Sequence, residues 1–263
     1  MVIFALYMKS TEPVVLPHKL RNTVRSLHRS ADRNDLQLFL AEGVRVCQDL
    51  LASSMRVESV VVAENANDAT MRLGAELVAK GGTLYEATPT DMAIMADAST
   101  PQDILAVLPF KEERPLGNRI VILDAVADPG NVGTIIRSAA WFGFTDVVLG
   151  RGGSDAYNPK VVRSAAGALF RMNVVRNRDV AAMLRDELST YTKAAAVRSG
   201  GDDPSMLRNA NQLCLVIGSE AHGLNDSTLD ACTVRISIPG GNGTESLNAA
   251  VAASILCYEA AAR

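Results

Sequence analysis

From residue 119 onward the chain alternates unbroken apolar runs with helical stretches, and that alternation limits its fold more than any other feature. RIVILDAVAD (119–128), TDVVLG (145–150), MNVV (172–175), TKAAAV (192–197), LCLVIGSE (213–220) and VRISIP (234–239) read as strands without strict apolar–polar alternation. A strand that is apolar on both sides is covered on both sides, which indicates a mostly parallel sheet between layers of helix. The intervening helices are expected from about Asn131 to Phe142, over 158–170 with Asn158 as N-cap and Pro159 in the first helical position, over AAMLRDEL, and from Ser246 to the C-terminus. That last helix carries Leu247, Ala249, Val251, Ala253, Ile255, Leu256 and Ala260 around much of its circumference, so it is expected to be buried on more than one side.

The charged stretch KEERPLGN (111–118), with Pro115 and Gly117, reads as a linker. Its expected neighbours are an N-terminal α/β domain over 1–110 and a larger domain over 119–263. The 263 residues suffice for both. In the first, residues 18–31 read as one helix with Leu20, Val24, Leu27 and Ala31 on one stripe and Arg21, Arg25 and Arg29 on another. LQLFLAEG, ESVVVAE and DILAVLP read as strands, and 65–80 as a helix.

In open parallel sheets ligands bind beyond the carboxyl ends of the strands. The turns there are DPGN (128–131), GSEAHG (218–223) and PGGNGTESLN (239–248). In the first, Asn131 can cap a helix that carries Arg137 in its second turn. In the second, Gly218 permits close approach at a strand end, and Glu220 is a carboxylate able to hold an arginine. His222 has no placed partner and reads as incidental. In the third, glycines line a concavity, Ser246 can cap the last helix, and Asn248 falls in its first turn. Taken singly, each loop also has a plainer reading as a capped or solvated turn.

Several chemistries lack their signature. There is no G-x-G-x-x-G after a strand, no G-x-x-x-x-G-K-[ST], no G-x-S-x-G and no HExxH. Cys47, Cys214, Cys232 and Cys257 form no CxxC pair and the three histidines are scattered, so neither a metal site nor a disulfide framework is expected, and a reducing cytoplasm suits the chain. No apolar run is long enough to span a bilayer. MVIFALY has no basic residue before it and Lys9 after it, unlike a signal peptide; it reads as a short strand, a frayed end or a start upstream of Met8.

The formal net charge is −3, which argues against a globally basic nucleic-acid binder. Charge is nevertheless uneven. Residues 1–33 hold six basic side chains against two acidic, a net of +4. Residues 151–178 hold six against one, a net of +5. Such segments can attract a polyanion, or can be solvated faces.

Together the loops say more. DPGNVGTIIRSAAWFG, then LVIGSEAHGL, then ISIP followed by TESLNAAVAASI resemble, in order and spacing, the SpoU/TrmH branch of the SPOUT RNA methyltransferases. NPKVVRSAAGALFRMNV looks like the family's intervening helix and strand. The likeness covers 119–263. LFLAEGVRVCQDLL and STPQDILAVLP are similar, more weakly, to the substrate-binding domain that many members carry. Gly240 and Asn242 depart from the Met and Gly more usual after the IP pair.

The resemblance implies a trefoil-knotted methyltransferase domain, a homodimer, and transfer of a methyl group from S-adenosylmethionine to a ribose 2′-hydroxyl of structured RNA. Ribosomal RNA is favoured by the separate N-terminal domain; a transfer-RNA 2′-O-methyltransferase and a non-catalytic RNA-binding protein of the same fold are the alternatives. It assigns Gly218, Ser219, Ile238, Pro239, Ser246 and Leu247 to the cofactor, with the backbones of Gly218, Ile238 and Leu247 at its adenine and ribose. It assigns Arg137, Asn131, Glu220, Ser246 and Asn248 to catalysis. Lys160 and Arg163 are expected to hold RNA phosphates, with Arg21, Arg25 and Arg29 extending the track. Members assign the proton-accepting role to the residue matching Arg137, but a neutral arginine at pH 7 costs roughly 7 kcal/mol. Arg137 is therefore expected to act as a fixed cation that stabilises the developing alkoxide.

Overall fold

The computed structural model describes residues 13–98, 100–241 and 246–261; Asn242 and the first twelve residues, on which expectations were placed, lie outside them. The chain forms two compact units, residues 1–111 with 157–170, and residues 112–156 with 171–263. The division is therefore not the continuous one expected between 110 and 119.

The first unit contains β1 (Val14–Val15), β2 (Leu38–Glu42), β3 (Ser59–Ala63), β4 (Thr83–Ala87) and β5 (Ile104–Pro109), in sheet order β1-β4-β3-β5-β2. β1, β4 and β3 are parallel, and β5 is antiparallel to both β3 and β2. Its helices are α1 (His18–Ser26), α2 (Ser30–Leu36), α3 (Val44–Leu51), α4 (Asp68–Val78), α5 (Pro89–Met95) and, from the later segment, α7 (Pro159–Ser164). Val24 and Leu27 of the first helical segment pack with Leu40, Val61, Met92, Met95 and Leu105.

The single helix expected over 18–31 is broken. Arg33, 2% exposed, donates from Nη1 to the carbonyls of Leu27 (2.8 Å) and His28 (2.9 Å), so a side chain from the next helix takes carbonyls at the end of α1. Ala31 consequently leaves the apolar stripe and is exposed, and Arg29 leaves the basic one.

The later segment belongs here for a visible reason. Tyr157 stacks on Phe39 and Phe110, with ring centroids 4.4 and 4.2 Å away, and its hydroxyl accepts from the Lys111 amide at 3.0 Å. Lys111 Nζ donates to the carbonyls of Leu169 (3.3 Å) and Phe170 (3.0 Å). As expected, Asn158 caps α7 by accepting from the Lys160 amide, with Pro159 at the helix start.

The second unit is a six-stranded sheet, β11-β9-β10-β6-β7-β8, made of β6 (Arg119–Leu123), β7 (Asp146–Gly150), β8 (Asn173–Arg178), β9 (Thr192–Ala196), β10 (Leu213–Ile217) and β11 (Val234–Ile236). Every pair in it is parallel. β6, β7 and β10 are buried almost throughout, as unbroken apolar runs require. Its helices are α6 (Pro129–Trp141), α8 (Val180–Arg185), α9 (Asp226–Ala231) and α10 (Ala249–Ala260).

Three features of this unit place its loops. β6 and β10 are neighbours, so the turns after them emerge side by side. β6 stops at Leu123 rather than continuing to 128: the Asp124 amide donates to the Ile217 carbonyl (2.8 Å) and Ala125 then turns with φ 58°. The buried Asp124 carboxylate accepts from Asn225 Nδ2 (3.1 Å) and Thr228 Oγ1 (2.8 Å), tying the end of β6 to the start of α9. Finally, α10 lies parallel to α6 in register, through Asn248–Asn131, Ser254–Ser138 (2.7 Å) and Tyr258–Phe142 (ring centroids 5.7 Å). The face of α10 bearing Ala250, Ala253, Leu256, Cys257 and Ala260 is buried, whereas Val251 is 48% and Tyr258 45% exposed. The burial expected around most of this helix is thus one-sided in the single chain, because α6 and the rest of the unit cover only one flank.

Among the described residues no helix is long and apolar enough to cross a membrane.

Candidate active site

The three turns singled out in the sequence meet. Asn131 Nδ2 donates to Glu220 Oε1 at 2.8 Å, and Asn131 Oδ1 accepts from Asn248 Nδ2 at 3.0 Å. Glu220 Oε2 stands 3.5 Å from the Ala127 amide. A carboxylate from the second loop, an amide from the first helix and an amide from the last helix therefore form one chain of hydrogen bonds over the ends of β6 and β10.

Two capping assignments shift by a few residues. Asp128 caps α6, accepting from the Asn131 amide at 2.8 Å, with Pro129 in the first turn. An acidic residue directly before a proline is the usual start of a helix, and that signal was present in DPGN. Asn131 is thereby released from capping and lies in the first turn with its side chain free for Glu220. Likewise Asn248, not Ser246, caps α10: its Oδ1 accepts from the amides of Ala250 (2.8 Å) and Val251 (3.2 Å) while its Nδ2 reaches Asn131. One side chain thus sets both the start of α10 and its distance from α6. Ser246 and Leu247 lie exposed immediately before that cap.

The second loop closes on itself. Ser219 and Gly223 exchange backbone hydrogen bonds of 3.0 and 2.9 Å, and Ser219 Oγ accepts from the His222 amide at 3.2 Å. Gly218 is required by this turn: a Cβ there would stand 2.3 Å from the Gly223 carbonyl carbon and 2.5 Å from the Leu224 nitrogen. The close approach expected at Gly218 is that of its own loop. The anticipated arginine partner of the Glu220 carboxylate is absent among the described residues; Arg198 instead donates to the carbonyls of Glu220 and Ala221, both at 3.4 Å. Arg198 and Asp124 were not anticipated, since their positions depend on pairings distant in sequence. The His222 side chain has no partner among the described residues.

At the third loop, Ile238 is half-buried and Pro239 and Gly240 are exposed. The backbones of Gly218, Ile238 and Leu247 take no part in the loop hydrogen bonds among the described residues. Arg137 is exposed on α6, with no side-chain hydrogen bond or ion pair among the described residues. It lies six residues beyond Asn131, about 120° around the helix from it. Arg137 is thus the one catalytic candidate carrying a full positive charge, and its donors are unengaged among the described residues.

Burial pushes the thiols of Cys47, Cys214 and Cys257 up to about 12, so they are poor nucleophiles. No group of acidic, cysteine or histidine side chains among the described residues is arranged to hold a metal.

The expected basic track fares differently. All five of its members fall in the first unit. Arg21 pairs with Asp91 at 2.8 Å, and that hydrogen bond holds the Asp91 carboxyl below its usual range. Arg29 pairs with Asp32. Arg25 is exposed and unpaired among the described residues, Lys160 is exposed, and Arg163 sits between Glu42 (3.3 Å) and Asp97 (2.7 Å). The three-arginine stripe is therefore reduced to Arg25, because α1 ends before Arg29 and Arg21 has a carboxylate neighbour from α5.

Comparison with known proteins gives consistent matches. Residues 118–258 match the SpoU rRNA Methylase family, and residues 22–106 match the MRM3-like substrate binding domain. The chain is 32% identical over 241 residues to the 23S rRNA (guanosine(2553)-2′-O)-methyltransferase RlmP of Bacillus subtilis (strain 168), covering 89% of this chain and 92% of that protein. The solved structure of the SpoU methyltransferase AviRb from Streptomyces viridochromogenes superposes with a TM-score of 0.78 at 25% identity, covering 93% of this chain and 96% of that one. An AdoMet-bound rRNA methyltransferase from Sinorhizobium meliloti shares the fold with a TM-score of 0.80 at 24% identity, covering 95% of this chain and 97% of that one.

Proposed function

The chain belongs to the SpoU rRNA methylase family, and on that premise we propose that it transfers a methyl group from S-adenosylmethionine to a ribose 2′-hydroxyl of ribosomal RNA. The observation that carries this reading is the Glu220–Asn131–Asn248 chain of hydrogen bonds, which joins all three signature loops at one point.

S-adenosylmethionine supplies, when bound, a methyl group on a sulfonium, already activated for displacement. The backbone groups of Gly218, Ile238 and Leu247, without hydrogen-bond partners among the described residues, suit its adenine and ribose, with Ser219, Pro239 and Ser246 on the same loops. The chain's own task is the weak nucleophile. Arg137 offers five N–H donors and a permanent charge, enough to hold a phosphate and stabilise the alkoxide as the hydroxyl loses its proton. Asn131, fixed at both ends of its amide, and Asn248 orient the sugar; Glu220 holds Asn131 in that pose. Ser246, one turn before the helix, adds a hydroxyl at the acceptor. On the first unit, Arg25 is the better candidate for phosphate contact, with Arg21, Arg29 and Arg163 engaged by carboxylates.

The proposal includes a homodimer and the knotted threading that the family resemblance implies. The homodimer is supported by exposed apolar side chains on the paired helices, Trp141 at 84%, Val251 at 48% and Tyr258 at 45%, with Leu247, just before α10, at 47%. Arg137 and Trp141 are one helical turn apart and share a face, so pairing there puts Arg137 on the seam. Trp141→Glu is expected to halve the mass seen in sedimentation equilibrium; an unchanged dimer would remove this face from the interface. The four free thiols support a reducing, cytoplasmic setting.

The decisive experiment is incubation with methyl-labelled S-adenosylmethionine and separated ribosomal and transfer RNAs, followed by mapping. Label in ribosomal RNA at one 2′-O-methyl ribose is expected. Label on a base, or in transfer RNA alone, would overturn the reading.

A further inference from the structure

Building on the RNA-methylase reading, we propose that the first unit holds one unpaired nucleotide of the RNA in a cavity beside Glu42, its base edge donating to that carboxylate and its phosphate resting on the N-terminus of α3. The cavity, of about 590 Å³, is lined by Glu42, Gly43, Arg45, Gln48, Gln102 and Arg163 among others. All of these residues except Arg163 lie within the stretch that matches a substrate-binding domain.

Two independent features point to an occupant. The first is Glu42, only 6% exposed. Its Oε2 accepts from the amides of Asp97 and Ala98 (both 3.2 Å) and from Arg163 Nη1 (3.3 Å), while its buried Oε1 has no partner among the described residues. A buried acceptor left without a donor is unfavourable, and such exceptions call for a cause. The second is the start of α3. Its N-cap is Gly43, with φ 102° and no side chain to cap, so the first-turn N–H groups lack an intrahelical partner. Arg45 stands exposed in that same turn. The junction is held in place by the Gly43 amide donating to Ile104 (2.9 Å) and by the pairing of Glu42 with Leu105 across the sheet.

The mixture of charges selects the ligand. A bare anion would be repelled by Glu42, and a bare cation by Arg45 and the helix N-terminus, Arg163 being held by Glu42 and Asp97. A nucleotide carries both complements, a phosphate for the cations and N–H donors on its Watson–Crick edge for the carboxylate. Gln48 and Gln102 can each donate and accept, which suits the rest of a heterocycle edge. That edge is free only in unpaired RNA, so the ligand is a nucleotide from a loop, bulge or end.

The test uses the full chain with guanosine 5′-monophosphate and, separately, inorganic phosphate as probes, followed by backbone amide NMR. Guanosine monophosphate is expected to shift the amides of residues 43–47 at a concentration about tenfold lower than phosphate needs. Arg45→Glu combined with Gln48→Ala is expected to abolish that response and to raise the RNA concentration for half-maximal methylation about tenfold, with S-adenosylmethionine affinity unchanged. Glu42→Gln should weaken the nucleotide response while sparing the phosphate one. The proposal is overturned if phosphate alone reproduces the shifts at equal concentration, or if the Arg45/Gln48 variant leaves both nucleotide binding and RNA half-saturation intact. The NMR readout needs no methyl transfer, so a chain that binds the nucleotide yet methylates nothing sinks only the catalytic reading.

Discussion

Arg137→Ala is expected to slow methyl transfer by about two to three orders of magnitude while leaving S-adenosylmethionine affinity within about twofold. The two effects separate because Arg137 touches none of the loop backbones offered to the cofactor and has no partner among the described residues whose loss would disturb the fold. Its removal withdraws charge from the place where an oxyanion develops, an interaction realised only in the transition state, so kcat falls and binding does not. Arg137→Lys discriminates between roles. A lysine keeps the charge but loses the planar fork, and it titrates more readily. If the residue worked as a base, lysine would restore activity, most visibly at high pH. If it works as a fixed cation bridging a phosphate and the ribose oxygen, lysine is expected to recover only a small part of the rate, with little change in pH profile. Full activity in the lysine variant would sink the bidentate role.

The layered architecture was legible because burial on both faces leaves a direct trace. RIVIL, DVVLG and LCLVI carry no polar alternation, and all three became buried strands of a parallel sheet. What the residues could not disclose was how distant parts satisfy one another. α1 ends where it does because Arg33, six residues past Leu27, reaches back to that carbonyl, and nothing in the periodicity of 18–31 marks the break. Tyr157 joins the first unit through stacking on Phe39 and Phe110, partners 118 and 47 positions away in a chain whose local pattern reads as continuous sheet and helix. Asp124 falls in the apolar run RIVILDAVAD and gives no sign of its role until Asn225 and Thr228 are placed against it.

The candidate site shows the same division. DPGN, GSEAHG and SLN could be named from their residue types and their positions after strands, and their meeting follows from β6 lying next to β10 and α10 next to α6. The exact caps did not follow. Asp128 and Asn248 hold those positions, and the difference matters chemically: an Asn131 engaged in capping could not accept from Asn248 while donating to Glu220 in the same way.

Gly218→Ala should have the other large effect, and through a different route. The added methyl would meet the Gly223 carbonyl carbon at 2.3 Å, its oxygen at 2.5 Å and the Leu224 nitrogen at 2.5 Å. These are backbone atoms, with no flexible side chain to swing aside, so the 219–223 turn must open. Its paired hydrogen bonds, Ser219 to Gly223 and back, would then be lost, and Glu220 would be carried away from Asn131. Overpacking of this kind typically costs about 1–3 kcal/mol of stability. The functional loss should be larger, since one movement displaces both the backbone offered to the cofactor at Gly218 and the carboxylate that fixes Asn131. We expect S-adenosylmethionine affinity to fall about 100-fold by calorimetry, equivalent to about 2.7 kcal/mol, with methyl transfer undetectable. Gly240→Ala is the matched control: a Cβ there meets nothing within 4 Å, so affinity should stay within about twofold of the parent. If both alanine variants bound the cofactor normally, the second turn would not be part of its site, and the convergence of the three loops would serve the fold rather than the chemistry.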